Sequence, residues 1–226
     1  MTVTAPDPSP VREASLRALE RLGLPVPAAN FPMVWDPGDH IELRPRAELE
    51  ARVAVLNIVL ARSFGMPSES AMEWLLDAHL VERLTRPEWR FVVADKGDHF
   101  SFALHMEAVY ALGWVMGLAR DLDPRHPSGN GLMQRLPNLI EGETFAAWRG
   151  RTLTAPREVG EVARLLDLYY CLDWAYLEAE RGHLPLPGDI DSNAIGQRRW
   201  ALEWAVVFHG PYHDAPLAWE EIDLSV

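Results

Sequence analysis

The sequence predicts an all-α protein: a single-domain multi-helix bundle with an apolar central helix over about residues 100–119 and an extended N-terminal arm. Three observations carry this. Apolar residues recur at helical spacing in long stretches, as in Leu49, Val53, Leu56, Leu60 and Phe64. Most of the nine tryptophans fall inside such patterns, where large rings build a thick core between helices. No alternating run is strong enough to specify a strand, with Phe91 to Ala94 alone ambiguous.

Each helix has its punctuation. Ser9-Pro10 opens a first helix that Gly23 stops, with Val11, Leu16, Leu19 and Leu22 on its apolar face. Leu24 to Arg44, rich in Pro, Gly and Asp, reads as an arm pinned by Phe31, Met33 and Trp35. Residues 1–44 thus form an N-terminal helix and arm packed on the body, and residues 45–226 the helical domain. A second helix spans about Pro45 to Phe64 and ends at Gly65-Met66-Pro67. A third covers roughly Glu69 to Val81. Thr85-Arg86-Pro87-Glu88 matches a capping box, which starts a fourth over Arg86 to Ala94. Lys96-Gly97-Asp98 turns the chain into the apolar central helix. The DPRHPSGNG segment then breaks regularity, and short helical turns follow from Leu132 to Trp148. The longest helix starts at Thr154-Ala155-Pro156 and stops at Gly182. The last spans about Ser192 to Phe208 and is closed by Gly210-Pro211. The tail offers Trp219 and Ile222 as anchors.

Polar residues inside these helices mark the candidate site. In FSFALHMEAVYALGWVMGLA, rotation of about 100° per residue puts Glu107 on one stripe with Phe100, Ala103, Ala111, Trp114 and Leu118. A carboxylate there must be paired, protonated or placed at a wet gap. On the longest helix Asp167 shares a stripe with Tyr170, Cys171 and Trp174, and Asp173 lies with Leu166, Tyr169 and Leu177. On the last, Arg199 lies with Leu202 and Glu203, and Arg198 with Leu202 and Ala205. Acids on two helices and arginines on a third suggest a buried ion-pair network. One reading makes it purely structural. The other makes it a pocket lined by Trp114, Trp174, Trp204 and Glu107, in which Glu107 or Asp167 handles protons.

Composition excludes several function classes. A net charge of −12, with arginines scattered along the chain, weighs against nucleic-acid binding and suits a protein partner with a basic surface. The lone Cys171 rules out a disulfide framework and a thiolate metal site, and its apolar neighbours make it an inert buried thiol. His209 and His213 flank Gly210-Pro211, which breaks the helix a two-histidine metal site needs; a helix-capping role for histidine is expected instead, with no metal and no cofactor. Neither a P-loop nor a G-x-S-x-G elbow is present. MTVTAPDPSP lacks the pattern of a secretory signal, and the longest apolar run, Ala108 to Ala119, is too short for a bilayer, so a soluble cytoplasmic protein is expected. The near absence of lysine (Lys96 alone) reads as the coding bias of a GC-rich bacterial genome.

The order of segments resembles the bacterial domain of unknown function family four-two-seven-two. The matching stretches are ELEARVAVLNIVLA, EWLLDAHL, LTRPEWRF, MEAVYALGWVMGL, REVGEVARLLDLYYCLDWA, QRRWALEWAV and AWEEIDLS. Leu104 and His105 stand where that family usually has an aromatic residue and an arginine. The resemblance implies a helical domain with no established activity, and draws attention to Glu107, Asp167, Arg198 and Trp204. With no complete catalytic constellation in view, the expected function is a protein-binding or regulatory module, an immunity-type antagonist being one concrete form. The alternative is a small-molecule enzyme or sensor with an interhelical pocket around Glu107.

Overall fold

Proline, glycine and short polar side chains set most helix ends in the computed structural model, which describes residues 1–129, 131–152, 154–213, 216–222 and 224. Asn130 of the glycine-bearing segment, and Asp214, Ala215, Asp223, Ser225 and Val226 of the tail, lie outside the described residues. Strand β1 is Val3–Thr4, helix α1 Pro8–Leu22 and strand β2 His40–Leu43. Helices α2 (Arg46–Ser63), α3 (Ser68–Asp77), α4 (Arg86–Ala94), α5 (His99–Ala103), α6 (His105–Val115) and α7 (Phe145–Arg151) follow. Then come α8 (Val159–Arg181), α9 (Ser192–Ala205) and strand β3 (Val206–His209). Single 3₁₀ turns lie at Val81–Arg83, Met133–Arg135 and Trp219–Glu221.

The chain is mostly helical, but the expectation of no sheet is corrected. A small antiparallel sheet has the order β1-β2-β3, with Val3 opposite Ile41 and Ile41 opposite Phe208. The last helix ends at Ala205 rather than Phe208. Val206-Val207-Phe208, β-branched and aromatic, go extended once a neighbouring strand satisfies their backbone groups. Two and four residues are too short to display alternation in sequence.

The apolar segment is two helices rather than one. α5 stops at Ala103 and α6 starts at His105; Glu107 N–H donates to the Leu104 carbonyl at 3.0 Å, a tighter 3₁₀-type bond at the junction. Gly117, at φ 76°, then ends the run, and the Gly113 carbonyl accepts from Leu118 and Ala119. A Cβ at Gly117 would lie 2.6 Å from the Ala155 carbonyl oxygen, so both the left-handed backbone and the close approach require glycine. Capping matches the sequence at Thr85–Glu88, where both halves of the box form. At α1 the cap is Asp7, two residues before the expected Ser9, because Asp7 accepts from the Ser9 amide.

Contacts divide the chain into two units. Unit 1 comprises Met1–Arg44, Asp121–Pro127 and Arg157–Val226. In it α8 packs on α1 and α9, and the sheet lies alongside α8 and α9. Trp35 is buried, donates to the Pro6 carbonyl at 2.8 Å and stacks on Phe208, while Met33 is largely exposed. Unit 2 comprises Pro45–Arg120 and Ser128–Pro156 and is centred on α2. Every residue from Leu49 to Leu60 is buried, so α2 is surrounded rather than one-faced, with α3, α4, α5 and α6 around it. Phe64, expected on its apolar stripe, is 71% exposed. Phe100, expected beside Glu107, is also exposed.

Candidate functional site

Five of the candidate residues meet in unit 1 around Tyr170, and the salt bridges there come from two directions. Asp167 on α8 pairs with Arg12 of α1, not with α9. It accepts from Arg12 Nη2 at 2.8 Å and Nε at 3.1 Å, and from the Ser15 hydroxyl at 2.6 Å. Arg12 also donates to the Pro32 carbonyl at 2.9 Å. Asp173 accepts from Arg199 Nη1 at 2.7 Å, and Arg199 Nε reaches Glu203 at 3.3 Å. The Tyr170 ring lies under both guanidiniums, 5.7 Å from Arg12 and 4.6 Å from Arg199, and Phe31 packs on Tyr170 and Trp174 at 5.0 and 5.8 Å.

Electrostatics follow from burial. Burial is the largest influence on the Arg12 pKa and lowers it, but the hydrogen bond donated to Asp167 and the attraction of the neighbouring acidic groups together outweigh it, so the guanidinium is held more firmly protonated than usual. Asp173 is pushed up by burial, with Arg199 opposing. Burial raises the Tyr170 hydroxyl, and raises the Cys171 thiol to about 12, which keeps it an unreactive core residue. These contacts order α1, α8 and α9 around one ring.

The remaining unit 1 candidates act on backbone and rings. Arg198 is fully buried and donates to the carbonyls of Asp123 and His126, each at 2.7 Å, and to the Tyr169 hydroxyl at 3.1 Å. It thus anchors the Asp121–Pro127 segment, where Arg125 holds the Asp123 carboxyl down at about 2. Trp204 lies edge-on to Trp219 at 5.4 Å and beneath the Arg44 guanidinium at 4.5 Å. His209 is not a helix cap but a strand residue whose ring meets Glu42 at 3.2 Å; the His213 ring meets Asp39 at 2.8 Å. Among the described residues, no group of three or more His, Cys, Asp or Glu is placed to hold a metal ion. Among the same residues, no helix is long and apolar enough to cross a membrane.

Glu107 and Trp114 belong to unit 2, on α6. Both are buried, and Glu107 Oε1 accepts from the Ser128 amide at 2.8 Å, tying α6 to the chain that re-enters the unit. Unit 2 also holds a cluster that sequence reasoning missed. Glu50 is 1% exposed and receives Arg46 at 2.6 Å, Arg149 at 2.7 Å and the Thr154 hydroxyl at 3.1 Å. Burial raises its pKa, but the three donors outweigh that and the net shift is downward. Arg52 pairs with Glu88 in the interior. In sequence, Glu50 in a helix rich in Arg and Glu reads as an ordinary solvated charge.

A groove in unit 2 was missed as well. It encloses about 1130 Å³ between the end of α2, the Phe64–Pro67 turn and the segment from Met133 to Glu143. Its far wall is fixed by side chains: Asn57 donates to Pro137 at 3.1 Å, Trp148 to Arg135 at 2.8 Å and Trp74 to Glu143 at 2.8 Å. Arg151 adds a bond to the Leu136 carbonyl at 2.9 Å. Despite this order, Ile140 on the wall is 99% exposed, as fully in water as an unfolded side chain. Phe64 faces water on the same groove. The signal available was large apolar residues inside turn chemistry, Phe-Gly-Met-Pro and Asn-Leu-Ile-Glu-Gly, where no helical stripe accounts for them.

A family model described as Domain of unknown function (DUF4272) matches residues 12–222. The chain belongs to this family. Comparison with curated proteins finds no match, and comparison with solved structures finds none. The DUF4272 match begins at Arg12, the partner of Asp167, and runs through Trp219, the ring beside Trp204. The membership establishes no activity for the DUF4272 chain.

Proposed function

We propose that this DUF4272 protein is a protein-binding module of regulatory type, an immunity-type antagonist being one form, whose partner presents a basic surface. The observation that supports this best is the groove of unit 2, whose wall is held by four side-chain to backbone bonds while Ile140 and Phe64 remain in water. A wall ordered in advance lowers the entropy cost of association, and exposed apolar residues on it supply burial when a partner arrives. The network residues Asp167, Tyr170, Trp174, Arg198, Arg199 and Trp204 are occupied by intramolecular partners and suit a structural role. Glu107 fits the same role, through its bond to Ser128.

Site-specific photocrosslinking tests the reading. A benzophenone side chain replaces Phe64 in the groove or Tyr212, which is exposed in unit 1, and the chain is irradiated in its native cells. Discrete protein adducts at position 64, absent at 212 and lost in the Ile140→Asp background, are expected. Adducts of equal yield at both positions, or none at 64, would overturn the reading.

A further inference from the structure

The groove of unit 2 is continuous with a second hollow. Met66, Ser70 and Leu139 line both, and the second adds Glu73, Trp74, Asp77 and Phe145. The combined lining is an apolar floor with acidic edges. Among its charged residues, Glu73, Asp77, Glu141 and Glu143 face a single guanidinium, Arg151. That guanidinium is already taken by Glu143, whose pKa it lowers. Among the described residues, Glu73, Asp77 and Glu141 have no ion-pair partner, and all three are exposed. Three unmatched carboxylates beside one apolar trough are complementary to an apolar face flanked by lysine or arginine.

The surrounding architecture selects the form of the ligand. Peptides bind folded domains chiefly as an added strand, as a polyproline segment on aromatic-lined grooves, or as an amphipathic helix in an apolar groove. An added strand needs a sheet edge, and this groove is walled by helices, turns and loops. A polyproline segment wants a row of rings, whereas Phe64 is the one aromatic ring among the described residues lining the larger groove, beside Met66, Met133, Leu139 and Ile140, and Trp74 and Phe145 of the second hollow pack edge-on against each other. Aliphatic and methionine side chains adapt to the i, i+3, i+4, i+7 face of a helix.

Resting on the protein-binding reading above, we infer that this groove recognises an amphipathic α-helix of a partner protein, its apolar face against Phe64, Met133 and Ile140 and its Lys or Arg flank against Glu73, Asp77 and Glu141. Apolar burial supplies most of the affinity. The carboxylates set orientation and exclude acidic helices.

The test uses the full chain and three synthetic peptides of about 16 residues, long enough for four helical turns. The first carries Leu at i, i+3, i+4 and i+7 with Lys on its flanks, the second has Glu in place of Lys, and the third is the first with its order scrambled. Fluorescence anisotropy reads affinity, and circular dichroism reads peptide helicity on binding. The basic amphipathic peptide is expected to bind and gain helicity, and the other two to bind at least about tenfold more weakly. The combined substitution Glu73→Gln, Asp77→Asn and Glu141→Gln should weaken it about tenfold, and Ile140→Asp by more than that, with melting temperatures unchanged. Equal binding of scrambled and ordered peptides, or of Ile140→Asp and wild type, would overturn the inference, as would binding without helicity. A dimer in sedimentation that Ile140→Asp dissolves would overturn it too, since a second copy would then be the occupant. Peptide failure alongside persistent adducts at position 64 defeats the helix and spares the wider reading; loss of those adducts defeats the wider reading.

Discussion

At the residue scale, the charges that look most like chemistry are held by partners within the same unit. Asp167 has three donors from Arg12 and Ser15 and almost no access to water. Asp167→Asn keeps the shape but leaves the Arg12 guanidinium buried without its counter-charge. Breaking one side of such a pair costs about 3–5 kcal/mol, which chemical denaturation will read as a lower midpoint with an unchanged slope. Glu50 gives a pH signature. Its folded-state pKa lies below the unfolded value, so its contribution is complete above the unfolded pKa and is lost as pH falls through the folded one. Asp173, raised by burial, acts in the opposite sense, favouring the folded state on protonation. Glu50→Gln should therefore melt lower at neutral pH and decline less steeply in acid, as melting curves from pH 7 down to about 2 will record. Sequence stripes located Asp167, Asp173 and Arg199 because an acid or base among aromatic residues is visible locally. They could not name Arg12 as the partner: it lies 155 residues away, and no local rule encodes that pairing.

At the element scale, helix ends were legible wherever capping chemistry is short-range. Thr85 with Glu88, and Gly23, each act within one turn, whereas Gly117 lay inside the helix expected over 100–119 and its stop was not read. The sheet was illegible because its strands are short and their pairing joins β1, β2 and β3 from both ends of the chain. The split between α5 and α6 has no proline or glycine to mark it. Gly117 yields a prediction at this scale. Gly117→Ala forces a positive φ on an L residue and pushes its methyl onto the Ala155 carbonyl, so a loss of about 1–3 kcal/mol is expected in denaturant titration. A neutral outcome would mean that the α6 terminus relaxes without cost.

At the scale of the whole molecule, a net charge of −12 and an apolar, acid-edged groove in unit 2 support the proposal of a positively charged protein partner. Each unit has its own polar interior, Asp167 with Asp173 in unit 1 and Glu50 with Glu88 in unit 2. On the proposed function, stability rests with those interiors and recognition with Phe64, Ile140 and their neighbours. The most direct test measures melting temperature and affinity for the basic amphipathic peptide on Asp167→Asn and Ile140→Asp together. The account predicts a drop of roughly 10 °C with affinity retained for the first. For the second it predicts an unchanged melting temperature with affinity lost. The reverse pattern, with Asp167→Asn abolishing binding at full stability or Ile140→Asp binding as wild type, would contradict it.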